Sequence, residues 1–277
     1  MRHFIFIFSL LLSATTYSQR IITAGSAITE TVCALGDCDK IIASDKTSLY
    51  PATIQQLPSI GYRSSITSEG IISLKPTLII AEKNYVEDAV LKQLEASGIK
   101  LVIIDRKYAV DDTKKFIAQI GDVLNRKEEA KKLIASINAE LEEVKALVKK
   151  SSSTPKVLCV YNRGTATISA GGTETFADIT PLAGGVNAFN NIDGYKPLNT
   201  ESLIAANPDY LLFLSSGLES LGGVDGALKV QGVAQTTAGK KRQIISLDSL
   251  MLTNFGPRIG KAVKELVLLL HPELQTK

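Results

Sequence analysis

The side chains able to ligate a metal or act as nucleophiles are few and unevenly placed. The 277 residues hold two histidines, two methionines, three cysteines, eight tyrosines and no tryptophan. His3 sits in the N-terminal leader and His271 near the C-terminus, and Met251 is the single methionine after the initiator. One histidine in the body of the chain argues against a Ser-His-Asp triad. It also excludes a zinc or manganese site built from several histidines of one chain. Cys33 and Cys38, in TVCALGDCDK, are close enough in sequence to pair in an oxidising compartment, while Cys159 in VLCVY reads as a buried small hydrophobe. No cysteine has a histidine beside it, so none is given a catalytic role. G-x-S-x-G, G-x-x-x-x-G-K-[ST] and G-x-G-x-x-G are all missing, and GGTETF has no Lys-Ser/Thr behind it to hold phosphate. The chain therefore reads as a non-enzyme.

Composition narrows the class further. Hydrophobic residues make up 45% and charged residues 21%, a globular mixture able to bury a core. With 31 Lys+Arg against 28 Asp+Glu, the charge is too balanced for a nucleic-acid surface. Residues 1–18 have the form of a secretory signal peptide: Arg2 and His3, an apolar run from Phe4 to Leu12, then Thr16 and Ser18 before Gln19. That run is far shorter than the ~20 residues of a membrane-spanning helix. The expected location is the periplasm, with cleavage near Ser18.

The elements that must position a site alternate in type. RIITAG, KIIASD, TLIIAE and KLVIIDR read as strands, separated by helices over SAITETVCALG (Ser26 as cap, Gly36 as stop), SEGIISLKP and EDAVLKQLEASG. From Thr113 to Lys150 there is almost no breaker. Leu133, Ile137, Leu141, Val144 and Val148 recur at helical spacing, which predicts one long helix ending at SSSTP. Beyond Pro155, KVLCVY, DYLLFLS and QIISLD are strands, and TETFADITPLAGG, TESLIAANP and IGKAVKELVLLL are helices. The expected fold is α/β: two Rossmann-like lobes with mainly parallel sheets (19–112 and 155–277), joined by one long α-helix over 113–150, with a ligand cleft between them.

An internal echo supports two related halves. SEGIISLKPTLII and TESLIAANPDYLLF share a pattern that aligns Glu69 with Glu201. The tripeptide TET also occurs twice, at Thr29–Thr31 and Thr173–Thr175, each time read as following the first strand of its half and opening a helix.

This arrangement resembles periplasmic substrate-binding proteins of the class that feeds siderophore, cobalamin and haem importers. RIITAGSAITETVCALG is similar to that family's opening. LPSIGYRSSITSEGIISLKPTLIIAE, GYKPLNTESLIAANPDYLL and NFGPR resemble its haem-binding branch, and the likeness covers nearly the whole chain after the leader. It implies a monomer that carries haem as transported ligand to an ABC permease and its ATPase in the inner membrane. A ferric siderophore or cobalamin is the alternative cargo.

A haem site needs an axial ligand, apolar walls and a few cations. Tyrosine is the ligand type this chain supplies most readily, an anionic oxygen donor suited to ferric iron. The resemblance puts the axial ligand at Tyr62 in IGYRSS, with Tyr50 as the runner-up. Where some relatives carry a second ligand, a histidine, this chain has Arg163, which stays protonated and does not coordinate iron. The iron is thus expected to be five-coordinate or completed by water, and Arg163 either pairs with a propionate or is a solvated loop charge. Arg258 in NFGPR matches an arginine that reaches towards the axial tyrosine. Arg63 stands where several relatives have Met and then Arg, and Tyr195 and Phe255 are candidate walls. The resemblance also implies permease docking through one exposed acid on each lobe, Glu69 and Glu201, with Glu30 and Glu174 as the alternative pair. A helical connector predicts modest closure on binding.

Overall fold

The computed structural model describes residues 19–163 and 167–275. The leader read over 1–18 lies outside the described residues. The first half contains β1 (Ile21–Ala24), α1 (Ser26–Ala34), β2 (Ile41–Ser44), α2 (Ser68–Ser73), β3 (Leu78–Glu82), α3 (Asp88–Ala96) and β4 (Lys100–Ile104). Its four strands form a parallel sheet in the order β2-β1-β3-β4. β1 is buried along its whole length, as its unbroken apolar run requires of a central parallel strand.

Next come α4 (Val110–Leu124) and α5 (Lys127–Val148), so the single helix expected over 113–150 is two helices. The break is at Asn125, which adopts left-handed φ 58°, ψ 37° and ends α4, while the Arg126 N–H returns to the Gly121 carbonyl at 2.7 Å. Asparagine tolerates this conformation better than most residues, and neither Pro nor Gly is needed. The expected stripe is real in α5, where Ile137, Leu141 and Val144 are buried.

The second half runs β5 (Lys156–Arg163), β6 (Thr167–Gly171), β7 (Val186–Asn187), β8 (Tyr195–Pro197), α6 (Thr200–Ala206), β9 (Tyr210–Leu214), α7 (Ser215–Ser220), α8 (Gly223–Leu228), α9 (Thr237–Lys240), β10 (Ile244–Leu247), α10 (Ser249–Asn254) and α11 (Ile259–Leu270). Its sheet has the order β10-β9-β5-β6-β8, with β7 also on β5. β6 runs antiparallel to β5, and β8 antiparallel to β6, so this sheet is mixed. The helix expected over TETFADITPLAGG is replaced by two short 3-10 turns, Phe176–Ile179 and Pro181–Ala183. Pro181 lacks the N–H that would continue the first turn. The second TET follows β6, not β5, and so does not match the first, which lies within α1.

One buried cluster underlies both sheets. It runs from Ile21 and Ile28 through Phe116 and Ile137 to Val157, Phe176 and Leu266. α5 packs on α4 and on α11, and α10 contacts α1. Cys33 and Cys38 form a disulfide, and Cys159 is free and buried, its thiol pushed up to about 12 by desolvation.

Candidate functional site

The carboxyl ends of the parallel strands in both sheets face one cleft of about 520 Å³. Ser26, Thr47, Glu82 and Arg106 line it just past or at the ends of β1 to β4, and Tyr161, Leu214 and Ser249 line it from β5, β9 and α10. Ligands of open α/β sheets gather at this edge because the loops there are free to vary.

On the first half the loop after β2 is built around Asp45, which is 2% exposed. Its carboxylate accepts from the backbone of Gly25 (2.9 Å) and Thr47 (2.7 Å) and from the Ser48 hydroxyl (2.6 Å). The hydroxyls of Thr47 and Tyr85 also donate to it. The Lys46 N–H then reaches the Gly61 carbonyl at 2.9 Å, bringing the far end of the loop back. Gly61 has φ 103°, and a Cβ there would lie 2.7 Å from the Ser65 hydroxyl. That hydroxyl accepts from the Tyr62 N–H (2.7 Å) and donates to the Tyr62 carbonyl (2.9 Å). The GYRSS sequence thus fixes the backbone of Tyr62 and leaves its side chain 37% exposed at the cleft. Among the described residues no hydrogen bond engages the Tyr62 hydroxyl. The Arg63 guanidinium lies 5.9 Å from the Tyr62 ring centre and 4.9 Å from that of Tyr85.

The opposite wall is aromatic. Tyr161 and Tyr195 are in contact with ring centres 4.8 Å apart and planes tilted by 39°, and Phe176 lies 6.2 Å from Tyr195. Tyr108 leaves β4 and meets the buried Phe255 edge-on at 5.4 Å. Desolvation pushes the phenols of Tyr108 and Tyr195 above their ordinary value. The Tyr85 phenol is pushed up too, first by burial and then by its bond to Asp45. These three groups stay protonated at neutral pH.

The structure therefore brings Tyr62, Arg63 and Tyr195 together at the cleft. Phe255, 1% exposed, only backs its wall. Arg258 does not meet Tyr62. It pairs with Glu30 at 2.9 Å and Asp248 at 3.6 Å, and its guanidinium lies 3.9 Å from the Tyr50 ring centre. Glu30 is the closer partner, meeting the guanidinium at two points, while Asp248 is further off and half exposed. Arg258, Tyr50 and Glu30 line a separate depression of about 350 Å³. Arg163 closes β5, and its side chain lies outside the described residues. Glu69 and Glu201 are exposed, each the second residue of a short helix capped by the preceding Thr67 or Asn199. The alternative pair is not equivalent: Glu30 is 3% exposed and ion-paired, while Glu174 is on the surface.

Tyr85, Arg106, Tyr108 and Tyr161 were not singled out from sequence. The strand expected over KLVIIDR ends at Ile104, which leaves Arg106 and Tyr108 in the loop after it, where the strand-end rule points. Among the described residues no cluster of three or more His, Cys, Asp or Glu is placed to hold a metal ion, and no helix is long and apolar enough to cross a membrane.

An aromatic and cationic cleft at the carboxyl ends of two α/β sheets defines a two-lobed binding protein. The chain belongs to the periplasmic binding protein family, whose model matches residues 21–250. Among solved structures it is similar to the periplasmic haem-binding protein RhuT from Roseiflexus sp. RS-1, with 37% identity, TM-score 0.86, and coverage of 93% of this chain and 100% of that one. It is also similar to the periplasmic haem-binding protein BhuT, solved with two haems, at 31% identity, TM-score 0.87, and 92% and 99% coverage. The high-affinity haem uptake protein IsdE of Staphylococcus aureus is 30% identical over 207 residues, 72% of this chain and 68% of that protein.

Proposed function

We propose that this protein captures haem in the inter-sheet cleft, with Tyr62 as axial ligand to ferric iron, and delivers it to an ABC permease and its ATPase in the inner membrane. The observation that carries the reading is the Tyr62 hydroxyl, uncommitted and at the cleft on a tightly built loop, within a fold shared with haem-binding relatives. A phenolate is a hard anionic donor that matches Fe(III). Tyr161 and Tyr195 supply aromatic ring surface, and Arg63 supplies a cation for a propionate. Arg163 is not an iron ligand in this reading, because its guanidinium stays protonated. Arg258 acts at a distance, holding α11 to α1 through Glu30, and Phe255 stiffens the wall behind Tyr108.

Delivery would use Glu69 and Glu201, exposed at matching positions of α2 and α6. Such a pair suits a partner with two related subunits, each presenting a cation. The buried cluster shared by both sheets favours small changes in lobe spacing on binding over wide closure. The protein works as a monomer in the periplasm, exported by its leader. Parallel titrations with hemin, a ferric siderophore and cobalamin, followed by tyrosine fluorescence, test the cargo. Hemin alone is expected to saturate the site, and saturation by either of the others in its place would overturn the reading.

A further inference from the structure

The cleft carries more recognition surface than an iron–oxygen bond requires. Tyr108 enters from the first sheet, and Tyr161 and Tyr195 from the second. The rings of Tyr161 and Tyr195 lie 4.8 Å apart and Tyr108 lines the same cleft, so aromatic side chains from both halves of the molecule share it. Behind them lie Phe176 and the buried Phe255. A protonated phenol is a weak ligand for Fe(III), but its ring face is a good platform for a flat aromatic macrocycle. At the rim, Arg63 is exposed and has no carboxylate partner among the described residues, only the Tyr62 and Tyr85 rings beneath it. A free guanidinium beside a binding cleft suits a carboxylate of the ligand. Of the three kinds of contact on offer (ring faces, cation and phenolate), only the last requires a metal.

We propose that the site recognises the porphyrin dicarboxylate itself, so that iron-free porphyrin is a ligand as well as haem, with Tyr62 adding preference for the metal-bound form. This rests on the haem reading above and extends its ligand class to metal-free porphyrins. The ring faces and Arg63 hold the macrocycle, and Tyr62 completes the site when iron is present.

The test titrates the purified protein with protoporphyrin IX and with hemin, following tyrosine fluorescence and the porphyrin absorption band. Protoporphyrin IX is expected to bind within about tenfold of hemin. Tyr62→Phe is expected to weaken hemin by about tenfold or more while leaving protoporphyrin IX within about twofold. Tyr195→Ala is expected to weaken both by about tenfold, and Tyr195→Phe, which keeps the ring, to restore both. Because Tyr195 is 38% exposed, these variants disturb the fold little, and their circular dichroism should match the parent. Protoporphyrin IX binding more than about a hundredfold weaker than hemin would overturn the proposal and leave the haem reading intact. Equal loss of both ligands in Tyr62→Phe would do the same. Failure of hemin itself to bind would overturn the haem reading and this extension together.

Discussion

The Arg258 guanidinium grips the Glu30 carboxylate at two points, Nε to Oε1 at 2.9 Å and Nη2 to Oε2 at 3.0 Å. Asn254 Nδ2 donates to the same carboxylate at 3.2 Å, and the Ser26 hydroxyl donates to Asn254 Oδ1 at 2.6 Å. The chain leaving the second sheet is thus latched onto α1 of the first. Arg258→Ala would strand a carboxylate that is 3% exposed, and should cost about 3 kcal/mol in urea unfolding. Glu30→Gln combined with Arg258→Ala should cost less than the sum of the two single changes, as expected for groups in one network. A single-variant loss under about 0.5 kcal/mol would show that the latch contributes little.

Stability should fall in acid partly through Asp37. Burial opposes its ionisation, but hydrogen bonds from Arg126 and Lys40, with their charges, outweigh that and hold its carboxyl below 3.8. A pKa lower in the folded than in the unfolded chain gives stability that is complete above the unfolded value and is lost as pH drops through the folded one. Unfolding free energy should therefore decline below about pH 4, and Asp37→Asn should be less stable at neutral pH but flatter across that limb. Parallel slopes in the two proteins would remove Asp37 from the explanation.

The turn between α4 and α5 is sterically tight. A Cβ on Gly121 would sit 2.6 Å from the Ala130 Cβ and 3.2 Å from the Arg126 carbonyl oxygen. Gly121→Ala should destabilise by about 1–3 kcal/mol despite the better helix propensity of alanine. In a thermal melt that is a drop of several degrees. A rise in melting temperature would mean the two helices can move apart freely.

Docking is separable from capture. Glu69→Lys and Glu201→Lys should leave hemin affinity within about twofold, since both lie outside the cleft lining. On the proposed docking, each should cut ATP-driven haem uptake in reconstituted vesicles by about tenfold or more, because a like charge would then face the permease. Undiminished uptake in the double variant would place the docking surface elsewhere.

How much of this was legible in sequence depended on whether the signal was local. The parallel strands and their helices follow from apolar runs bounded by Gly and Pro, and the echo around Glu69 and Glu201 marks two similarly capped helices. The break at Asn125 escaped notice because the residue that ends α4 is not a standard breaker, and the reason for a turn there is the packing of Gly121 on Ala130. β6 and β8 were missed because short antiparallel strands beside loops carry little periodicity. At the site, the family resemblance of GYRSS points to Tyr62, and that residue lies at the cleft. The partner of Arg258 could not be found that way, because Glu30 is far off in sequence and meets it only when α10 and α11 close onto α1.

The most direct test of the central claim is the absorption spectrum of the purified protein after stoichiometric hemin addition, recorded beside Tyr62→Phe. The parent should show the charge-transfer band of tyrosinate-bound ferric haem. The variant should lack that band and bind hemin about tenfold more weakly or worse. An unchanged spectrum and affinity in Tyr62→Phe would contradict axial ligation by this residue.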